Sequence, residues 1–343
     1  MPDIQSESFV FDPRPNFPLV TTANRYWATS SRSADDPTAL TLIFAHGTGF
    51  HKEIWLPIIE DLYTLVGNHG GLRIREVWSI DAPNHGDAAV LNEKDLQWGY
   101  EPIFRWEDYG RVLHSFLAGL GKGVNVDFTK HRLVGIGHSM GAISMLLSTN
   151  FYPSVKFESI VLVEPMIFSK EAALAPGAHF LSEGSAKRRD AWPSKEEAYT
   201  SLKSRKAWQS WDDRVLRIYV DKGMRPLPTA EYPDKQGVTL KCTRKQETAS
   251  YNDPLGHSLV YRNFAGFTKR LPVHLMYGEI DDYVPWEIKD NVINKAGGGV
   301  HNFASFAKVP SAGHLAPQTN PKGVAQKIYE ALAGQRGESR SKL

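Results

Sequence analysis

The chain contains one cysteine, Cys242, in 343 residues. That excludes an internal disulfide and a thiolate-rich zinc centre, which needs several sulfurs converging on one ion. Cys242 reads as a small packed side chain in a protein that folds in a reducing compartment. Charge of one sign is not in excess either: 40 Lys and Arg face 38 Asp and Glu, so nucleic acid held by bulk charge is not an expected partner. No apolar run approaches the roughly 20 residues a membrane-spanning helix requires, and there is no internal repeat. Residues 1–10 have neither the basic start nor the apolar middle of a secretory signal.

What is present is the composition of a globular chain, 41% hydrophobic and 23% charged, arranged in a recognisable rhythm. From Ala39 onward short apolar runs alternate with longer amphipathic stretches, which predicts an α/β fold with a mostly parallel sheet covered by helices on both faces. The expected strands are LTLIFA (40–45), EVWSI (76–80), RLVGIG (132–137), SIVLV (159–163), PVHLMYG (272–278) and FASFAKV (303–309). Tyr109, Val112, Leu113, Phe116, Leu117 and Leu120 recur at helical spacing and read as a packing stripe.

Between residues 166 and 270 this rhythm stops. A Trp-rich, proline-punctuated segment takes its place, with helices expected near 194–208 and 211–222, and it reads as a helical cap inserted into a core made of 1–165 and 271–334. The cap holds 19 Lys and Arg against 12 Asp and Glu. Solvated helix faces explain that excess; so does a positive field drawing an anionic substrate to a cleft. Residues 335–343 read as a flexible polar tail ending in Ser341, Lys342 and Leu343, the form of a peroxisomal targeting signal read by an import receptor.

Gly137, His138, Ser139, Met140 and Gly141 form G-x-S-x-G directly after the apolar run LVGI and before the helical segment AISMLLS. A serine on a tight strand-to-helix turn projects its hydroxyl clear of the backbone, and glycines two places to either side let strand and helix approach closely. The next amide, on Met140, points into the same space at a helix N-terminus, where a developing oxyanion is stabilised. A dinucleotide loop built on Gly135, Gly137 and Gly141 fails on spacing, because Met140 stands where the third glycine belongs.

These features resemble the α/β-hydrolase superfamily from Ala39 to Leu332, and the resemblance implies the rest of a site. His46, Gly47, Thr48 and Gly49 follow the first expected strand as the family's His-Gly oxyanion loop does, which assigns the second oxyanion amide to Thr48. His314, in SAGHLAPQ after the last strand, matches the general base. The family's acid lies after either of two strands, and both positions are filled: Asp281 in GEIDDYVP, slightly favoured, and Glu164 ending SIVLVEP, with Asp282 a weaker third. His85 and His138 read as supporting residues. Trp192, Trp208 and Trp211 read either as lining of an acyl pocket or as core.

The stretches HGTGFHKEIWLPII, DAPNHGDAAVLN and IVLVEP, with the SKL terminus, resemble more narrowly a fungal peroxisomal branch of that superfamily. It includes hydrolases of AK-toxin and AF-toxin biosynthesis, a yeast peroxisomal lipase and a mycophenolic acid acyl-CoA hydrolase. The resemblance implies a peroxisomal serine hydrolase that needs no metal or cofactor and cleaves a small-molecule ester or acyl-CoA thioester in lipid or secondary metabolism. The competing expectation is a non-catalytic small-molecule-binding protein on the same scaffold.

Overall fold

The protein is described by a computed structural model covering residues 3–29, 36–173 and 179–338, with side chains up to residue 334. Ser341, Lys342 and Leu343 lie outside the described residues. The strands are, in chain order, β1 (Ile4–Phe11), β2 (Thr21–Ala28), β3 (Leu40–Ala45), β4 (Ile74–Ile80), β5 (Arg132–His138), β6 (Phe157–Val163), β7 (Ala191–Trp192), β8 (Met224–Pro226), β9 (Val238–Leu240), β10 (Val273–Gly278) and β11 (Ser305–Val309). Eight of them form one sheet in the order β1-β2-β4-β3-β5-β6-β10-β11. Every neighbouring pair from β4 to β11 is parallel, and β2 runs antiparallel to both β1 and β4.

The central strands read as continuous apolar runs because helices cover both of their faces. All six residues of β3 and of β10 are buried. The helix Trp106–Leu117 packs on one face, with Tyr109, Val112, Leu113 and Phe116 fully buried. Leu120, expected in the same stripe, falls beyond the helix end. One member of the stripe also bonds: the Tyr109 hydroxyl donates to the Ile80 carbonyl at 2.6 Å and accepts from the His46 amide at 3.3 Å. It thereby ties the loop after β3 to the end of β4.

The two N-terminal strands escape the apolar pattern. β1, IQSESFVF, is an edge strand with most of its side chains exposed. β2, TTANRYWA, is buried mostly through polar residues that find partners: Arg25 donates to Glu76 on β4 at 2.7 Å, and Thr22 to Asp81 at 2.6 Å.

Between β6 and β10 the chain forms helices and a small antiparallel sheet, β7-β9-β8. The helix expected over 194–208 is broken into Lys195–Lys203 and Lys206–Gln209, and the next runs Asp213–Gly223. The last helix of this stretch, Gly256–Arg270, buries Val260, Phe264 and Phe267 in the main core beneath the sheet. By packing it therefore sits with the sheet, although its sequence continues the segment read as cap. The C-terminal helix Pro321–Glu338 extends into the stretch read as tail.

Candidate active site

Ser139 stands one residue past the end of β5, with φ 55° and ψ −119°, and caps the helix Met140–Ser148. A non-glycine residue held at positive φ costs about 1–3 kcal/mol and persists only where its surroundings fix it. Here the surroundings are two close approaches. A Cβ on Gly137 would stand 2.5 Å from the Ala142 Cα, and one on Gly141 would stand 2.3 Å from the Ala45 carbonyl oxygen. Both flanking glycines are thus required by the contact of strand and helix.

The loop after β3 closes over this turn. A Cβ on Gly47 would meet the His138 ring at 2.8 Å and the Ser139 Cβ at 3.1 Å. The Thr48 hydroxyl contacts the Met140 sulfur at 3.4 Å, so the two residues assigned to the oxyanion site lie together beside Ser139. Met140, in the first turn of its helix, has an amide with no acceptor inside that helix. Gly49 takes φ 82° and donates its N–H to His85 Nε2 at 2.9 Å.

Two histidines hold the loop. His46 Nε2 accepts the Ala82 N–H at 3.0 Å while Nδ1 donates to the Gly47 carbonyl at 2.8 Å. His85 Nδ1 donates to Asn84 at 2.7 Å. Burial pushes the His46 imidazole down to about 4, against a partial opposing effect of Asp81, and burial drives His85 well below the ordinary histidine range. Both are therefore neutral supports near pH 7.

His314 reaches Ser139 from the loop after β11. Its Nε2 lies 3.1 Å from Ser139 Oγ, and its Nδ1 lies 3.2 Å from Glu164 Oε2. With Nδ1–H donating to the carboxylate, Nε2 is left as an acceptor for the serine hydroxyl. Glu164 stands one residue past β6, also at positive φ, 46°, and is completely buried. Its other oxygen accepts from the Gly278 amide and from Lys289 Nζ, the latter at 3.0 Å. Burial alone would raise this carboxyl; the bond from His314, the Lys289 charge and the Gly278 amide outweigh it and hold the group below its ordinary value.

This corrects the slight preference for Asp281. Its carboxylate is exposed and accepts the Trp286 amide at 2.8 Å, capping the start of the helix Trp286–Asn291. No hydrogen bond joins it to His314 among the described residues. Asp282 also serves the backbone: both its oxygens accept the His314 N–H at 2.9 Å, and a Cβ on Gly313 would strike its carboxylate. His138 donates from Nε2 to the His314 carbonyl at 2.9 Å, and burial lowers its own ring to about 3.

Lys289 was not foreseen. It lies fully buried against Glu164, yet in WEIKDN, flanked by Glu287 and Asp290, it has the local pattern of a solvated helix face. Among the described residues no group of three or more His, Cys, Asp or Glu side chains is placed to hold a metal ion, and no helix is long and apolar enough to cross a membrane.

A cavity of about 370 Å³ opens above Ser139 and His314. Phe50, Trp208, Trp211, Tyr219, Tyr251 and Tyr283 give it an aromatic wall, to which Phe180, Leu181 and Leu315 add apolar surface. Trp208 and Trp211 pack against each other with ring centres 4.4 Å apart and planes tilted by 33°. Trp192 is core instead, buried in one hydrophobic cluster with Val215, Leu216 and Tyr219. Two charged residues, Arg188 and Glu247, interrupt the apolar lining.

Comparison with known proteins follows the same lines. A family model described as "Alpha/beta hydrolase family" matches residues 42–327. The type I acyl-CoA thioesterase mpaH of Penicillium brevicompactum is 28% identical over 240 residues, covering 68% of this chain and 52% of that protein. The peroxisomal membrane protein LPX1 of Saccharomyces cerevisiae is 33% identical over 146 residues, 42% of this chain and 35% of that one. The chain therefore spans about half, or less, of the length of these curated relatives. The solved structure of the peroxisomal alpha-beta-hydrolase Lpx1 from Saccharomyces cerevisiae superposes with a TM-score of 0.72 at 19% identity, covering 96% of this chain and 89% of that one.

Proposed function

The chain belongs to the Alpha/beta hydrolase family, and from that premise we propose that it hydrolyses an acyl ester, in particular an acyl thioester of CoA, through a serine acyl-enzyme. The observation that carries this reading is the unbroken series of bonds from Ser139 through His314 to the buried Glu164 at the floor of an aromatic cavity.

In this mechanism Ser139 Oγ attacks the acyl carbon while His314 Nε2 takes the hydroxyl proton. Glu164 holds the imidazole in the tautomer that leaves Nε2 free and stabilises the imidazolium that forms. The amides of Thr48 and Met140 receive the oxyanion. Collapse of the tetrahedral intermediate breaks the carbon–sulfur bond, and His314 returns the proton to the departing thiolate. Water, deprotonated by the same imidazole, then attacks the acyl-serine and releases the acid with Ser139 restored.

Two observations favour a CoA thioester over a simple ester. A relative is described as an acyl-CoA thioesterase. Moreover, Lys187, Arg205 and Lys206 are exposed, have no ion pair among the described residues, and adjoin the cavity-lining segments at Gly184 and Ala207. Cations there favour the phosphates of a substrate whose acyl end is inside. In this reading the insertion between β6 and β10 acts as the cap that shapes the acyl pocket, and the SKL terminus directs the protein to the peroxisome through the import receptor. A fluorescent fusion, with and without that tripeptide, tests the location. Release of free CoA thiol from acyl-CoA substrates, abolished in Ser139→Ala, tests the activity. Turnover of neutral esters with no CoA release would leave an esterase.

A further inference from the structure

Arg188 and Glu247 form an ion pair at 2.8 Å inside the cavity that holds Ser139. The pair comes from two helices of the cap: Arg188 directly follows Phe180–Lys187, and Glu247 lies within Arg244–Tyr251. Glu247 is 5% exposed and packs on the oxyanion loop, since a Cβ on Gly49 would stand 2.8 Å from its Oε1. Arg188 also donates to the Tyr219 hydroxyl at a long 3.4 Å. Beyond these contacts the pair is incompletely satisfied: Arg188 Nε has no hydrogen-bond partner among the described residues, and Glu247 Oε2 meets the guanidinium at 2.8 Å without hydrogen-bond alignment.

Charges desolvated in an aromatic wall are costly, and a pair of hydrophobic residues would pack the same space at no such cost. Glu247 is buried and Arg188 half-buried, and both line the cavity together with Tyr219 and Trp211. A CoA nucleotide is too large for a cavity of about 370 Å³ and stays outside it. The cavity therefore receives the acyl group.

We propose that Arg188 and Glu247 are specificity-determining residues that select acyl groups carrying a hydroxyl. This rests on the acyl-hydrolase reading of the same site. A hydroxyl accepts from a guanidinium and donates to a carboxylate at once, and so engages both members without adding charge. A carboxylate or ammonium on the acyl chain would bring a third, uncompensated charge beside the pair. A plain hydrocarbon would cover two charged groups and return nothing to them, the situation in which a site rejects an analogue lacking the polar group.

The test is calorimetric titration of the protein with straight-chain carboxylic acids of graded length, each against its ω-hydroxy counterpart. At the length that reaches the pair the hydroxyl raises affinity about tenfold or more. In the double variant Arg188→Leu/Glu247→Leu that preference disappears while the plain acids bind as well as before or better, which also shows that the variant is folded. If the hydroxyl leaves affinity unchanged or lowers it at every length, or if no acid binds, the selection does not exist and the pair only fastens the cap to the oxyanion loop. Failure of the hydrolase reading is registered separately, as the absence of Ser139-dependent turnover.

Discussion

Ser139 and Glu164 occupy matching positions on adjacent parallel strands. Each stands one residue beyond its strand's last residue, His138 and Val163, and each is held at positive φ, 55° and 46°. The Ser139 amide donates to the Val163 carbonyl at 3.1 Å, so the two turns are tied directly. The proposed nucleophile and acid are thereby set on neighbouring strand ends, and the imidazole of His314 spans the gap between them.

In the proposed mechanism that relationship gives the role of acid to Glu164. Glu164→Gln keeps the shape of the side chain but favours the wrong imidazole tautomer, and kcat falls on the order of 10⁴-fold. Asp281→Ala removes only a helix cap, which costs about 1 kcal/mol of stability, and leaves kcat close to that of the wild type. Steady-state rates for the two variants, with thermal melts alongside, check both outcomes.

Gly47→Ala tests how tightly the oxyanion loop is packed. The added methyl meets the His138 ring and the Ser139 Cβ, and His138 cannot yield freely while it is bonded to the His314 carbonyl. The loop carrying Thr48 must shift. Loss of one oxyanion donor lowers kcat by about 10²–10³-fold, with an overpacking cost of about 1–3 kcal/mol visible in the melt.

The buried histidines make stability depend on pH in one direction. His46 is lowered to about 4 and His138 to about 3, in both cases chiefly by burial, against about 6.5 in the unfolded chain. Above 6.5 both are neutral in both states and their contribution is complete. As pH falls from 6.5 the unfolded chain takes up protons that the folded protein refuses, and stability drops by about 1.4 kcal/mol per pH unit for each histidine until the folded value is reached. Glu164, held below its ordinary value, adds a loss below the usual carboxylate range. Denaturant unfolding between pH 4 and pH 8 checks the slope; a flat profile from 6.5 to 5 would contradict it.

Steering by the exposed cations near the cavity is separable from chemistry. Lys206→Glu raises KM for acyl-CoA severalfold and weakens its dependence on salt, while kcat/KM for a neutral ester stays within about twofold. Rates at low and high ionic strength for the two substrate classes give the comparison.

The legible parts of this molecule were those whose chemistry is local. The elbow around Ser139 and the glycines of the oxyanion loop carry their reasons within a few residues, and the central strands announce themselves as apolar runs. β1 and β2 do not, because their polar side chains are accommodated by an edge position, by one another, as Ser8 is by Asn24, and by Asp81 just past β4, which takes Thr21 and Thr22. The choice between Glu164 and Asp281 depends on how strand ends turn: Asp281 is drawn off to cap a helix, and only the three-dimensional register of β6 beside β5 puts Glu164 against the imidazole. Lys289 and the Arg188–Glu247 pair were illegible for the same reason. Their partners lie far away in the chain, and nothing in their own neighbourhoods marks them as buried.

The most direct measurement of the central claim is intact-mass analysis after treatment with a fluorophosphonate, followed by peptide mapping, on the wild type and on Ser139→Ala. The account predicts one adduct, on the peptide containing Ser139, with complete loss of hydrolysis on labelling and no adduct in the variant. Labelling that persists in Ser139→Ala, or hydrolysis that survives the substitution, would contradict it.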